Sequence, residues 1–413
     1  MRILFVMDNA IECNDSNSNI GRLIIEYLRK NNQIYILTHG DRSETQRVFE
    51  DNRNLFYHII EFDYERRKRK YTQFRKIVSK WKKILFLLRH PILLWSCIIY
   101  QKSAKEEYVS AYVHSIEKLC KKYGMDGVVA ISSPYSTAKA MARAKVMAKK
   151  LLYQLDPYSQ NYYMRNQPKR VREEHEVLES VDCIITTDLI FEENRNNQLK
   201  KYHYKMKSLN YPNVRKINNS YETIDFSQEK INCVFIGNFY KDIRHPKFMI
   251  QLFSNHELGD IMLHIVGGTY DGDLSEYMQD IPGKVKFYGR KSSKISFQYL
   301  MNADILVSLN NTISNQMPGK IFDYISTGKP IINICKTNKC PTLKILEKYP
   351  MVLNIIEEEE AIEKMVQKVF EFCYQYKGKQ IEFDEIRMLY NEYTIDVVGQ
   401  QFEDILKKLV GNI

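Results

Sequence analysis

Two short runs of this 413-residue chain combine residue types and spacing that invite chemistry. The first is Ile236-Gly237-Asn238-Phe239-Tyr240-Lys241-Asp242-Ile243-Arg244-His245-Pro246-Lys247. Gly237 directly after an apolar run lets backbone approach a ligand closely, and Arg244 before a helix offers a planar, charged fork suited to a diphosphate. The second runs from Pro318 to Pro330 and reads as a helix with a proline-glycine entry and a glycine-lysine-proline exit. Gly319 leaves the first helical N–H groups open to an anion, at the positive end of the helix dipole. Ile321, Tyr324 and Ile325 form a packing face, Asp323 points away from it, Gly328 caps the end and Pro330 stops the helix. An ordinary capped α/β helix is the plain alternative for this segment.

These residues need a scaffold, and the chain supplies an alternating one. Strands are predicted at 3–7, 33–37, 56–62, 127–132, 151–155 and 183–187, with helices at 20–30, 104–122, 136–149 and 168–180. That alternation predicts a parallel sheet covered on both faces. A polar stretch over 216–230 reads as a linker. The pattern restarts with strands at 233–236, 262–266, 285–288, 305–308 and 330–334. The fold class expected is α/β, with two tandem Rossmann-like domains facing across a cleft, at 1–215 and 216–393. A final amphipathic helix within 394–413, with Phe402, Ile405 and Leu409 in register, is expected to pack back across the domains.

Ligands of open parallel sheets bind beyond the carboxyl ends of the strands. The loops there include Ile265-Val266-Gly267-Gly268, either a turn or a pocket wall, and Tyr288-Gly289-Arg290, where an aromatic plane and an amide can hold a base or merely end a strand. A polar loop over 310–317 precedes the helix carrying Asp323. In the first half, the loop from Asp8 reaches a helix start at Gly21, expected to face phosphates. Asp156 lies at a strand end, where it can orient an acceptor hydroxyl or simply turn the chain into Pro157.

Composition sets limits. With 44% hydrophobic and 27% charged residues the chain is that of a globular protein, and Met1 runs straight into a core strand, which predicts a cytoplasmic protein without a secretory signal. Eight cysteines without a framework read as reduced packing residues; Cys335 and Cys340 are one close pair, with no second pair at zinc spacing, so no metal is expected. No histidine stands in a triad.

The formal charge of +11 is concentrated. Between Arg66 and Arg89 lie eleven cations and no acid, and setting them aside leaves 50 basic against 50 acidic residues. Lys80, Trp81, Lys82 and Lys83 lead into Ile84-Leu85-Phe86-Leu87-Leu88 and then Ile92-Leu93-Leu94-Trp95, a break at Arg89-His90-Pro91 arguing against a spanning helix. The segment 66–100 is expected to lie on an anionic leaflet. Nucleic acid is not an expected partner, since no reader motif is present.

In order and spacing, the glycine and arginine loop, the two further strand-end loops and the Pro318–Pro330 helix resemble the C-terminal domain of GT-B glycosyltransferases, particularly the GT4-like retaining enzymes of bacterial capsule, O-antigen and exopolysaccharide assembly. The resemblance covers most of 231–334 and extends more loosely over the first half. It implies that Asp323 binds the ribose hydroxyls of a nucleotide-sugar, that Arg244 and Lys320 neutralise its diphosphate, and that Gly237 and the amides near Gly319 approach the phosphates. Together with the basic-apolar segment in the first half, it leads to the expectation of a lipid-linked glycan acceptor, and no cofactor is expected. Two departures stand out: where the family has a first glutamate, eight residues before Asp323, this chain has Asn315, and Lys247 follows Arg244 at an unusual spacing. A nucleotide-sugar epimerase of the same fold and a non-catalytic nucleotide-sugar-binding subunit therefore stay open.

Overall fold

The computed structural model describes residues 1–7, 16–39, 53–60, 80–89, 91–132, 135–161, 168–217, 221–271, 274–313 and 317–411. The chain divides into two compact units, Met1–Asn210 together with Gly399–Ile413, and Tyr211–Val398.

In unit 1 the strands are β1 (Arg2–Val6), β2 (Gln33–His39), β3 (Leu55–Ile60), β4 (Gly127–Ile131), β5 (Lys149–Gln154), β6 (Cys183–Thr186) and β7 (Met206–Ser208), paired in the order β3-β2-β1-β4-β5-β6-β7. Every pairing is parallel. Between them run helices α1 (Ser16–Leu28), α2 (Lys80–Arg89), α3 (Pro91–Tyr123), α4 (Ser136–Arg143), α5 (Pro168–Ser180) and α6 (Asp188–Asn194). Strands covered on both faces read as unbroken apolar runs, which is why Ile3-Leu4-Phe5-Val6 is buried throughout. The expected helix over 136–149 stops earlier, at Arg143. Its alanine-rich tail favours helix locally, but Lys149 and Lys150 open β5 and pair beside Gly127 and Val128, so sheet pairing overrides propensity. β7, only three residues long, pairs at the edge beside β6 and was not anticipated.

Unit 2 contains β8 (Ile231–Ile236), a short β9 (Phe239–Tyr240), α7 (Lys247–Phe253), β10 (Ile261–Val266), β11 (Thr269–Asp271), β12 (Val285–Gly289), α8 (Ser293–Asn302), β13 (Ile305–Leu309), α9 (Lys320–Thr327), β14 (Ile331–Cys335), α10 (Pro341–Leu346), β15 (Val352–Ile356), α11 (Ile362–Tyr376) and α12 (Phe383–Leu389). Its main sheet is parallel, ordered β12-β10-β8-β13-β14-β15, with β9 and β11 forming a separate ribbon. Alternation along β8 sends Cys233 and Phe235 to a core shared with α7 and α11, and Val234 and Ile236 to one shared with α8 and α9.

The packing face of α9 is wider than its three predicted residues, because Phe322, Ser326 and Thr327 are buried along with Ile321, Tyr324 and Ile325. Gly328 ends α9 at φ +70°, and a Cβ there would sit 2.0 Å from the Ile381 carbonyl oxygen. That closeness has a purpose: the Ile381 N–H donates to the Gly328 carbonyl at 2.8 Å, tying α9 to the segment before α12. Gly328→Ala is expected to destabilise unit 2 by roughly 2–3 kcal/mol, from left-handed strain plus overlap. A denaturant titration of the variant checks this; an unchanged midpoint would contradict it.

The final helix, α13 (Ile395–Val410), spans the boundary between the units in sequence. Its fully buried stripe is Val398, Phe402 and Leu406, with Ile405 and Leu409 only half-buried, so the apolar face is rotated from the one read in the sequence. Within unit 1, the Phe402 ring lies 6.5 Å from Phe5 and 5.2 Å from Tyr153. Glu403, buried there, accepts from Asn32 at 2.9 Å.

Candidate functional site

The strand order of unit 2 reverses between β8 and β13, so the loops following those two strands flank the crevice where open sheets bind ligands. Both loops meet at Arg244. Its Nε donates to Asn311 Oδ1 at 3.0 Å, and a terminal nitrogen donates to the Asn238 carbonyl at 3.4 Å. The Thr312 N–H reaches the Ile243 carbonyl at 2.7 Å, lacing the loops together. Burial strips the Arg244 guanidinium of water and pulls its pKa down, while the Tyr240 and Tyr324 hydroxyls oppose that shift. Among the described residues no carboxylate pairs with Arg244. A largely shielded guanidinium that donates to two neutral oxygens and lies 5.8 Å over the Tyr240 ring is electrostatically suited to an anion.

Glycines clear the space beside it. A Cβ on Gly237 would lie 3.6 Å from an Arg244 terminal nitrogen, and one on Gly267 would lie 1.7 Å from the Gly237 carbonyl oxygen. The second contact makes Gly267 obligatory and resolves its reading: it is a wall packed on the glycine loop. Tyr288 does not present a free aromatic plane, because its ring lies 4.6 Å from Tyr299 and 5.8 Å from His264, whose Nδ1 sits 2.9 Å from its hydroxyl. His245 packs edge-on against Tyr277 at 4.9 Å.

At the start of α9, Asp323 faces two cations. Lys320 Nζ lies 3.1 Å from Oδ2 and Arg215 3.7 Å from Oδ1. Asp323 is mostly shielded whereas Lys320 and Arg215 are about half exposed, so both cations can turn toward an arriving anion. Arg215 went unnoticed in the sequence because it is 108 positions from Asp323 and lies in a polar stretch. Gly319 occupies the N-cap of α9 with helical φ and ψ. Asn315 lies outside the described residues.

In unit 1, Asn17 Nδ2 donates to Asp156 Oδ2 at 2.6 Å, joining the start of α1 to the chain after β5. Gly21 is buried in α1, where a Cβ would lie 2.6 Å from Ile131 Cδ1 and 2.7 Å from Met7 Cε. Its missing side chain thus lets α1 approach the carboxyl ends of β1 and β4. A group the sequence reading missed sits nearby. Glu174, buried at 1% exposure on the apolar face of α5, accepts from Gln154 Nε2 at 2.9 Å and from the Ser159 N–H at 3.1 Å. Around the ends of β4, β5 and β6, Ser132 Oγ, Tyr135 OH, Gln154 Oε1, Ser159 Oγ and Thr186 Oγ1 are buried with no hydrogen-bond partner. Its signal was a carboxylate three and four residues before Val177 and Leu178, where an apolar side chain belongs.

Among the described residues no cluster of three or more His, Cys, Asp or Glu side chains could hold a metal ion. No described helix is long and apolar enough to cross a membrane. In α2, Trp81, Ile84, Leu85 and Leu88 follow helical spacing yet stand 77%, 48%, 53% and 73% exposed. Lys82 and Arg89 on the same helix are exposed, while Lys80, Lys83 and Trp95 lie on helical backbone.

Three solved structures similar to this chain define its architecture. The lipopolysaccharide outer core galactosyltransferase WaaB aligns at TM-score 0.57 and 13% identity, covering 99% of this chain and 100% of its own. HepE of Anabaena in complex with UDP aligns at TM-score 0.61 and 12% identity, with the same coverage. The chain has the GT-B fold. UDP-GlcNAc 2-epimerase from Methanocaldococcus jannaschii is also similar, at TM-score 0.52 and 12% identity over 99% of this chain and 100% of its own. No protein-family profile and no curated protein matches the sequence.

Proposed function

We propose that the GT-B chain is a retaining, GT4-like glycosyltransferase that moves a sugar from a nucleotide-diphosphate donor to a lipid-linked glycan acceptor in surface polysaccharide assembly. The observation that carries this reading is Arg244, desolvated at the sheet's switch point with no carboxylate partner among the described residues. Departure of a nucleoside diphosphate builds negative charge on its outer phosphate. A guanidinium already largely shielded from water and anchored by Asn311 stabilises that charge with little reorganisation.

Lys320 opens α9 and swings from Asp323, one turn on, to the same phosphates; Asp323, relieved of it, takes the ribose hydroxyls. Gly237 and the amides near Gly319 give the phosphates close backbone approach, and Asn315 takes, in sequence, the position of the family's sugar-contacting glutamate. Unit 1 takes the acceptor, with Asp156, held by Asn17, orienting its hydroxyl. The exposed apolar stripe of α2, which ends the cation-rich sequence 66–89, supports a seat for the enzyme on an anionic inner leaflet, where a lipid-linked acceptor would be presented.

Purified protein incubated with a panel of nucleotide-sugars and a membrane lipid extract should release nucleoside diphosphate only when both are present. Silence across all donors would sink the proposal. Conversion of a donor without any acceptor would favour epimerase chemistry, which the similar epimerase shows the fold can host. Asp323→Ala is expected to raise the KM for the donor roughly tenfold or more with a smaller change in kcat, as for a lost charge-assisted hydrogen bond. An unchanged KM would remove Asp323 from the ribose site, and nucleotide binding without turnover would mark a scaffold subunit.

A further inference from the structure

We propose that Cys335 and Cys340 form a thiol–disulfide site that reacts with low-molecular-weight disulfides, and that closing it weakens donor binding. The second half rests on the donor-site reading given above. Cys335 ends β14 in the core at 1% exposure, whereas Cys340 caps α10 and is partly exposed. Both sulfurs converge on one hydroxyl: Thr342 Oγ1 lies 3.8 Å from Cys335 Sγ and 3.1 Å from Cys340 Sγ. The shared hydroxyl places both sulfurs at the junction of β14 and the start of α10.

That arrangement separates the roles. The neighbouring Cys335 thiol and the Thr342 hydroxyl, against the effect of burial, draw the Cys340 thiol down to about 7, while the Cys340 sulfur and burial push Cys335 up. A thiolate-leaning, accessible sulfur beside a buried protonated one is an attacking and resolving pair. The contrast lies in the same unit. Cys233 and Cys373 have sulfurs 3.8 Å apart, but both are fully buried and burial holds Cys233 well above its ordinary value. Proximity alone therefore does not make a reactive pair here.

The Cys340 thiolate attacks one sulfur of the small disulfide; a mixed disulfide forms and one thiolate leaves. Cys335 then gives up its proton and attacks the Cys340 sulfur, expelling the second thiolate. The protein loses two electrons and two protons, and the small disulfide becomes two thiols.

The route to the donor site is short. Asn310 Nδ2 donates to Asn333 Oδ1 at 2.6 Å and the Ile334 carbonyl at 3.0 Å, and lies 3.6 Å from Cys335 Sγ. Asn310 Oδ1 is buried with no partner, so this amide is incompletely fixed. The next residue, Asn311, anchors Arg244. Drawing the Cys335 sulfur toward α10 removes it from Asn310 and shifts the loop that holds the guanidinium.

The full chain, fully reduced, would be equilibrated with glutathione disulfide and digested with trypsin. The peptide ending at Lys336 is expected to be joined to the one starting at Cys340, while Cys233 and Cys373 stay reduced. Cys340→Ser should give no adduct here, and Cys335→Ser should trap one glutathione on Cys340. Calorimetry with UDP and GDP should show roughly fivefold or more weaker binding for the oxidised wild type and no change for Cys340→Ser. Absence of the joined peptides overturns the site, and its formation with unchanged nucleotide affinity overturns the coupling. Reduced protein that binds neither nucleotide overturns the donor reading and with it the coupling, leaving the disulfide decided by the peptide map.

Discussion

Arg244→Ala is expected to lower nucleoside diphosphate release by about two to three orders of magnitude in kcat/KM, the scale seen when one preorganised charge-stabilising donor is removed. The loss should fall largely in kcat, because the diphosphate carries more charge as it departs than while it is bound. Arg244→Lys should recover part of it: the ammonium restores charge but not the planar fork that reaches Asn311 and a phosphate together. Steady-state kinetics, with a melting curve showing that each variant is folded, checks the expectation. A decrease of only a few fold in Arg244→Ala would remove this residue from the chemistry.

The second large effect concerns α2. Leu85→Glu with Leu88→Glu places charge in the middle of the exposed apolar stripe, and each buried leucine is worth about 1.5–3 kcal/mol. Binding to vesicles rich in anionic lipid should therefore fall by at least about a hundredfold, at low and high salt alike. Converting Lys80, Lys82 and Lys83 to Glu should also abolish binding, but it acts through the salt-sensitive component, each cation contributing about 1 kcal/mol near the surface. Wild-type binding should accordingly weaken as salt screens those charges. Sedimentation with vesicles across a salt series separates the two contributions. Wild-type protein that ignores anionic lipid would end the membrane assignment.

What the sequence disclosed follows from which interactions are local. Both sheets were legible because strands covered on two faces, such as Cys233-Val234-Phe235-Ile236, have no polar side to obscure them. The α9 helix announced its own ends, since Pro318, Gly319 and Gly328 act through backbone geometry within a few residues. Lys149 and Lys150 were misread because their place in β5 is decided by Gly127 and Val128, more than twenty positions away. The candidate site was visible as separate residues but not as an arrangement. Arg244 meets Asn311 across 67 positions, and Asp323 meets Arg215 across an even longer span. The polar group around Glu174 was hidden differently: four hydroxyls, three of them in loops and one at the end of β6, look ordinary until burial leaves them without partners.

The C-terminal helix imposes an order on assembly. Phe5, in β1, and Tyr153 find their cover in Phe402, and Asn32 finds its carboxylate in Glu403. Residues 211–398, a unit with its own sheet and cores, must all be synthesised before that cover exists. Of the two units, the one begun earlier is thus completed later, and its β1 face stays open while the whole of unit 2 is produced.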